Sequence, residues 1–231
     1  MRIAKFISRS GICSRRKAEE LIQRKKVYIN NSVCNKPNID VNENDIIKIN
    51  GRLIKINNKI RLWKLYKPIK VICTNYDPKK RRTLFDLIPK HYPRMISIGR
   101  LDYMSEGLIL LTNNGDFARK LELPSSNILR KYKVYVSTKV KGVDISRINN
   151  GISIDRIIYN KVKVKIEKTL KDKSFLIFEL KEGKNREIRN ICKYFKWPIV
   201  KIIRLQYGSI KLLNKKPGEI YEVKTIPKDL L

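Results

Sequence analysis

An aspartate stands in the run Gly99-Arg100-Leu101-Asp102, which continues into Ser105-Glu106-Gly107 and the apolar stretch Leu108-Ile109-Leu110-Leu111-Thr112. An Asp in a Gly-bounded turn is ordinarily a turn former, because its carboxylate bonds nearby backbone. Between two apolar segments and beside an Arg, the same turn also presents one carboxylate at a basic, strand-flanked edge, which suits a base or nucleophile. Three other segments carry candidate groups. In Arg130-Lys131-Tyr132-Lys133-Val134-Tyr135-Val136, strand alternation puts Tyr132, Val134 and Val136 on one face and Lys131, Lys133 and Tyr135 on the other. The residues alone read Tyr132 as a core aromatic. From Glu179 to Asn190 a strand end, a turn at Gly183 and a helix start follow one another. Ile188, Ile191, Cys192 and Phe195 then fall at helical spacing, with Arg186, Arg189, Lys193 and Lys196 as a basic stripe that is either a solvated face or a polyanion contact. The run Ile202-Ile203-Arg204-Leu205-Gln206-Tyr207-Gly208, ahead of the turn Pro217-Gly218-Glu219, reads as core support.

These groups sit in an unusually basic chain. Fifty-three Lys and Arg oppose 21 Asp and Glu over 231 residues, a formal charge of +32 that is spread along the whole length, so a polyanion is the expected partner. Lys, Ile and Asn share A/T-rich codons, which inflates the Lys count. The Arg clusters are therefore the better guide: Arg15-Arg16, Arg81-Arg82, and Arg186 with Arg189. Cys13, Cys34, Cys73 and Cys192 lie far apart, with one His in the chain to complete a metal site. That spacing argues against zinc and against a disulfide framework, and points to free thiols in a reducing, cytoplasmic setting. The N-terminus has no apolar h-region and no run approaches the ~20 apolar residues of a membrane span. His91, before Tyr92-Pro93, reads as structural. With no Gly-x-Gly-x-x-Gly and no Walker motif, no nucleotide cofactor is expected.

The 42 % hydrophobic content suffices for a core, and the length for one sizeable domain and a small one. Residues 1 to 59 read as the small unit. Ile3, Phe6 and Ile7 form a helix ended by Gly11, and Ser14 caps a second with Ala18, Leu21 and Ile22 on its apolar face. Short strands then turn at Asn30-Asn31 and Asn50-Gly51. The second helix begins Arg15-Arg16-Lys17, and cations there oppose the helix dipole. They are either a solvated helix end or the complement of an external phosphate. Residues 60 to 231 read as α+β with a mainly antiparallel sheet. The pattern predicts a short helix over 83–88 stopped by Pro89, strands at 96–98 and 108–111, and a helix capped by Asp116. Further strands are predicted at 131–136, 159–166, 175–180 and 199–205.

Gly-Arg-Leu-Asp, then Glu-Gly, then Leu-Ile-Leu-Leu-Thr-Asn-Asn-Gly resembles the central motif of the RsuA/RluB family of ribosomal RNA pseudouridine synthases. Arg130 to Val136, Glu182 to Arg189 and Ile202 to Gly208 resemble its remaining motifs. Ser8 to Ile22 followed by Val27 to Asn31 resembles an S4-type RNA-binding module. The resemblance implies Asp102 as catalytic nucleophile or base, Tyr132 stacking on the target base, and Arg189 pairing with Asp102. It implies RNA contacts at Arg15, Arg16, Lys17, Arg100, Lys131, Lys184, Arg186 and Arg204, with Lys184 standing where the family commonly has Arg. Isomerising uridine needs no metal and no cofactor. Whether Asp102 would attack the anomeric carbon, attack carbon 6 of the base or deprotonate the ribose stays open. Asn185-Arg186-Glu187-Ile188-Arg189 is closer to the large-subunit (RluB) branch, so 23S-type rRNA or a pre-ribosomal particle is the expected partner of a monomeric, cytoplasmic enzyme. A 16S rRNA enzyme and a non-catalytic rRNA-binding assembly factor are the alternatives.

Overall fold

The structure is a computed structural model that describes residues 1–159 and 162–231. It divides into two units. The first comprises Met1–Arg61 with Lys90–Ile96 and Thr112–Gly115, and the second holds the remainder.

The first unit is built on the pattern Ile-x-x-x-Ile and its partners. Helices α1 (Ile3–Arg9) and α2 (Arg15–Gln23) bury Ile3, Ile7, Ala18 and Ile22 against Val27, Ile47, Ile49 and Ile54. Gly11 takes φ +86° just past the end of α1, a conformation that costs glycine little. Ser14 accepts the Lys17 backbone N–H at 3.2 Å and so caps α2. Strands β1 (Val27–Ile29), β2 (Ser32–Val33), β3 (Ile47–Ile49) and β4 (Arg52–Leu53) form a sheet in the order β2-β1-β3-β4. Its two hairpins turn at Asn30-Asn31 and Asn50-Gly51, all at positive φ, as two-residue hairpin turns require. Arg15 and Arg16 lie exposed in the first turn of α2. Lys17, expected at phosphate, is exposed and pairs with Glu20 at 2.6 Å, one helical turn on.

The second unit is a large, mostly antiparallel sheet. Its strands are β5 (Leu62–Lys67), β6 (Ile96–Ile98), β7 (Glu106–Thr112), β8 (Arg130–Val136), β11 (Val162–Leu170), β12 (Lys173–Leu180), β13 (Ile199–Tyr207), β14 (Ile210–Lys211) and β15 (Ile220–Glu222). The main path runs β11-β12-β8-β13-β7-β5-β15, with β6 on β7 and β14 on β13. Strands β9 (Ile152–Ile154) and β10 (Ile157–Tyr159) make a separate hairpin. Helix α5 (Glu187–Tyr194) buries Ile188, Ile191 and Cys192 among Val134, Leu176, Phe178 and Ile202. The β13·β7 ladder is parallel, matching Ile203 with Glu106 and Arg204 with Gly107. It explains the glycine of the Ser-Glu-Gly motif. Gly107 has φ +106°, and a Cβ there would stand 2.4 Å from the Arg204 carbonyl oxygen and 2.6 Å from its nitrogen.

Four expectations are corrected. Asp116 lies inside the first turn of α3 (Gly115–Glu122) rather than capping it. Over 83–88 only a 3-10 turn forms, Phe85–Leu87, because Thr83 and Asp86 bond each other's backbone N–H and close the segment early. The predicted strand over 159–166 is replaced by β10 ending at Tyr159 and β11 beginning at Val162, and residues 160 and 161 lie outside the described residues. Helix α4 (Gly142–Asn149) was not predicted at all; it buries only Ile148, leaving little apolar periodicity to detect.

Candidate active site

Asp102 opens into a cleft of about 1210 Å³ in the second unit. Gly99 at φ +70° turns the chain out of β6, and the Ser105 N–H donates to the Asp102 carbonyl at 3.1 Å before β7 begins. The apolar strands on either side fix the loop, leaving its carboxylate 35 % exposed. Arg189, in the first turn of α5, donates from Nε to Asp102 Oδ2 at 2.9 Å. Its Nη2 donates to the Met104 carbonyl at 3.0 Å and to Ser105 Oγ at 2.9 Å. One guanidinium thus holds both the carboxylate and the backbone that carries it. A charge-assisted bond of this kind holds a half-buried carboxylate in a fixed direction. Arg186 Nη1 stands 3.8 Å from the same oxygen with a side chain 56 % exposed, reaching it from a left-handed backbone at φ +51° immediately before α5.

Tyr132 is half-buried, packs on the α5 core and lines the cleft, so both faces of its reading meet in one side chain. Its cross-strand neighbours are Phe178 on β12 and Arg204 on β13. Arg100 is exposed at the cleft.

Three other basic residues are engaged within the protein, and of these only Arg204 is buried away from an RNA contact. Arg204 is 2 % exposed and donates from Nε to the Leu108 carbonyl at 2.6 Å, with its guanidinium 5.5 Å from the Tyr207 ring. Lys131 leaves Tyr132's face by strand alternation and pairs with Glu179 at 2.8 Å. Lys184 Nζ binds Glu182 at 2.9 Å and the Ile158 carbonyl, tying the Gly183 turn to β10. A carboxylate or carbonyl meets each of these groups, although Arg204 Nη2 stays buried without a partner among the described residues.

The sequence reading also missed groups that support the cleft. Lys67 is fully buried at the end of β5 and donates to the carbonyls of Ser105 at 2.7 Å and Pro68 at 2.9 Å. Burial brings its ammonium down to about 8, against the opposing pull of Cys73, Asp102 and Glu106. A Lys two residues after Leu65, hence on the core-facing side of an apolar strand, was the available signal. Arg130, 8 % exposed, donates to the Tyr207 hydroxyl at 3.2 Å, which itself donates to the Leu121 carbonyl at 2.7 Å. Cys73 Sγ accepts the Leu101 N–H at 3.4 Å, and burial raises its thiol. All four cysteines are free.

Glu187 holds the loop that delivers Arg186 and Arg189. It is 3 % exposed, and its Oε2 accepts the Lys184 backbone N–H at 3.1 Å, closing the loop that leads into α5. Burial, and then the neighbouring Glu182 carboxylate, push its carboxyl up to about 7. A folded value above the unfolded one means that the protonated form favours folding. That contribution is present below the ordinary carboxylate range near 4.5 and is lost as pH rises through about 7. Glu187→Gln, which keeps an acceptor and cannot ionise, is expected to equal the wild type in urea midpoint at pH 4 and to exceed it at pH 8. Parallel stability curves across that range would show that Glu187 does not titrate in the fold.

Among the described residues no group of three or more His, Cys, Asp or Glu side chains is placed to hold a metal ion, and no helix is long and apolar enough to cross a membrane. An Arg-clamped carboxylate beside a half-buried Tyr, in a cleft lined by arginines, has the chemistry a nucleophile or base needs toward a substrate bearing negative charge. Residues 61–194 match the family described as RNA pseudouridylate synthase. The chain belongs to that family. Residues 1–47 match the S4 domain, placing an RNA-binding module ahead of the synthase domain. An uncharacterized RNA pseudouridine synthase of Rickettsia prowazekii is 43 % identical over 232 residues, covering 100 % of this chain and 98 % of its own. The ribosomal large subunit pseudouridine synthase B of Bacillus subtilis is 34 % identical, covering 96 % and 91 % respectively. A crystal structure of a pseudouridylate synthase superposes with a TM-score of 0.69 at 21 % identity, over 97 % of this chain and 96 % of that one, so the synthase fold is shared.

Proposed function

We propose that this pseudouridine synthase isomerises a specific uridine of large-subunit, 23S-type ribosomal RNA, alone or within a pre-ribosomal particle, as a cytoplasmic monomer without a nucleotide cofactor. The observation that carries the reading is the 2.9 Å Asp102–Arg189 pair facing the same cleft as Tyr132. The choice of rRNA is supported by the name of the Bacillus subtilis relative.

Isomerisation breaks the bond from the ribose anomeric carbon to N1 of uracil and makes one to carbon 5, whose proton leaves. Atoms and electrons balance within the nucleotide and water, so the protein must supply a carboxylate, a surface to hold the detached base, and a grip on the RNA. Asp102 is the nucleophile or base, by attack on the sugar, attack on carbon 6 or removal of a ribose proton. Tyr132 stacks on the base, at a gain of about 1–3 kcal/mol for an unstacked nucleobase. Arg189 holds Asp102 in place. The uridine must leave its helix to reach them, and a basic cleft lowers that cost. Residues 1–59 dock the RNA through Arg15 and Arg16, and residues 60–231 carry the chemistry.

Carbodiimide mapping of pseudouridines in rRNA from cells with and without the gene tests this directly. One 23S-type uridine is expected to lose its modification in the deletion strain and regain it with the gene restored. Loss confined to 16S-type rRNA would move the target to the small subunit, and unchanged maps would favour a non-catalytic assembly role.

A further inference from the structure

The cleft carries a second aromatic group that the uridine chemistry leaves unused. Tyr76 lines it with a relative exposure of 76 %, whereas both Trp63 and Trp197 are buried. The backbone beneath this open ring is firmly built. The Thr74 hydroxyl donates to the Tyr76 carbonyl at 2.8 Å and accepts the Tyr76 N–H at 3.3 Å. Asp77, 8 % exposed, accepts the Arg81 backbone N–H and two guanidinium N–H groups, each at 2.9 Å. The ends of the loop are tied where Ile72 N–H meets the Arg82 carbonyl at 3.1 Å and Leu84 N–H meets the Ile72 carbonyl at 2.7 Å. Such a closed, internally bonded loop holds a side chain in place at little further entropic cost.

The surroundings identify what would cover the ring. Lys79, Lys80, Arg81 and Arg82 flank it against the single carboxylate of Asp77, which Arg81 already neutralises. The Arg81 guanidinium lies 5.7 Å from the Tyr103 ring, joining the loop to the residue after Asp102, and Tyr103 and Met104 are themselves exposed. A ring among four cations, with Tyr103 and Met104 exposed nearby, falls short of the contiguous apolar area of a protein-binding patch. It matches a polymer that offers a π-face and a phosphate at each repeat. A uridine swung out of its helix leaves its neighbour without a stacking partner, and a ring at the rim of the cleft restores one.

We propose that Tyr76 is a second nucleobase-stacking subsite, taking a base adjacent to the target uridine while the cations of residues 79–82 hold its phosphates. This rests on the reading of the substrate as RNA. The test places a Trp at the position, Tyr76→Trp, and follows its fluorescence during titration with single-stranded oligouridylate or with inorganic polyphosphate of equal charge. Oligouridylate is expected to quench the new indole and polyphosphate to leave it unchanged. Tyr76→Ala is expected to bind oligouridylate roughly 5- to 100-fold more weakly, with Tyr76→Phe close to the wild type. Equal quenching by polyphosphate, or wild-type affinity in the Ala variant, overturns the subsite. So does a Tyr76→Ala defect seen only on assembled ribosomal particles and not on naked RNA, which would make the ring a protein contact. If wild-type protein releases no tritium from uracil-labelled rRNA yet the indole is quenched by oligouridylate, the proposed reaction fails while the subsite stands.

Discussion

Arg189→Ala is expected to lower single-turnover conversion of rRNA by roughly 10²- to 10³-fold while changing RNA affinity little. Losing the group that positions Asp102 forfeits part of the roughly 10²- to 10⁴-fold that a positioned base contributes to rate. The loss is concentrated in turnover because the guanidinium makes its three bonds to Asp102, Met104 and Ser105, all within the catalytic loop. The exposed Arg100 and Arg186 remain to attract the RNA backbone. Arg189→Lys should recover only part of the rate, since an ammonium cannot reproduce a planar fork that grips a carboxylate and a carbonyl together. Filter binding measured beside tritium release from carbon 5 of uracil separates the two effects. Weak binding with normal turnover at saturating RNA would make Arg189 a phosphate contact and remove its role in positioning Asp102.

The parts of this molecule that were legible in its sequence are those whose physics is local. Asn30-Asn31 and Asn50-Gly51 adopt positive φ because of what those residues are, so the hairpins could be placed without knowing the sheet. The same holds for Ser14 capping α2 and for the apolar face of α5, where Ile188, Ile191 and Cys192 recur at helical spacing. The motif resemblance paired Arg189 with Asp102, where one turn of α5 delivers it, but the destinations of the other cations were not legible. Arg204, expected at the RNA, is carried by the β13·β7 and β13·β8 registers to the Leu108 carbonyl and beside Tyr132. Lys131 and Lys184 find Glu179 and Glu182 by strand pairing and turn geometry that no spacing rule encodes. Asp102 itself was accessible through its motif, yet the motif alone does not show that Lys67 is buried beneath the loop, bonding the Ser105 carbonyl.

Asp102→Asn separates catalysis from binding most sharply. The amide keeps the size of the side chain and an oxygen to accept from Arg189 Nε, while deleting the negative charge on which attack or proton removal depends. The loop should keep its form, because Ser105 N–H bonds the Asp102 backbone carbonyl and Arg189 retains Met104 and Ser105. Arg186, 3.8 Å from the carboxylate, loses its counter-charge and becomes more available to RNA phosphate. The variant is therefore expected to bind its rRNA at least as tightly as the wild type and to lose turnover by roughly 10²- to 10⁴-fold or more, the range attached to losing a positioned base. Single-turnover tritium release from carbon 5 reports the chemistry and equilibrium binding reports the rest. Near-normal release by the Asn variant would rule out Asp102 as nucleophile or base, whichever of the three chemical routes applies. Absent release together with weakened binding would mean that the carboxylate acts mainly to hold the Arg186–Arg189 segment in place for RNA, a structural role that Arg189→Ala would then reproduce in affinity as well as in rate.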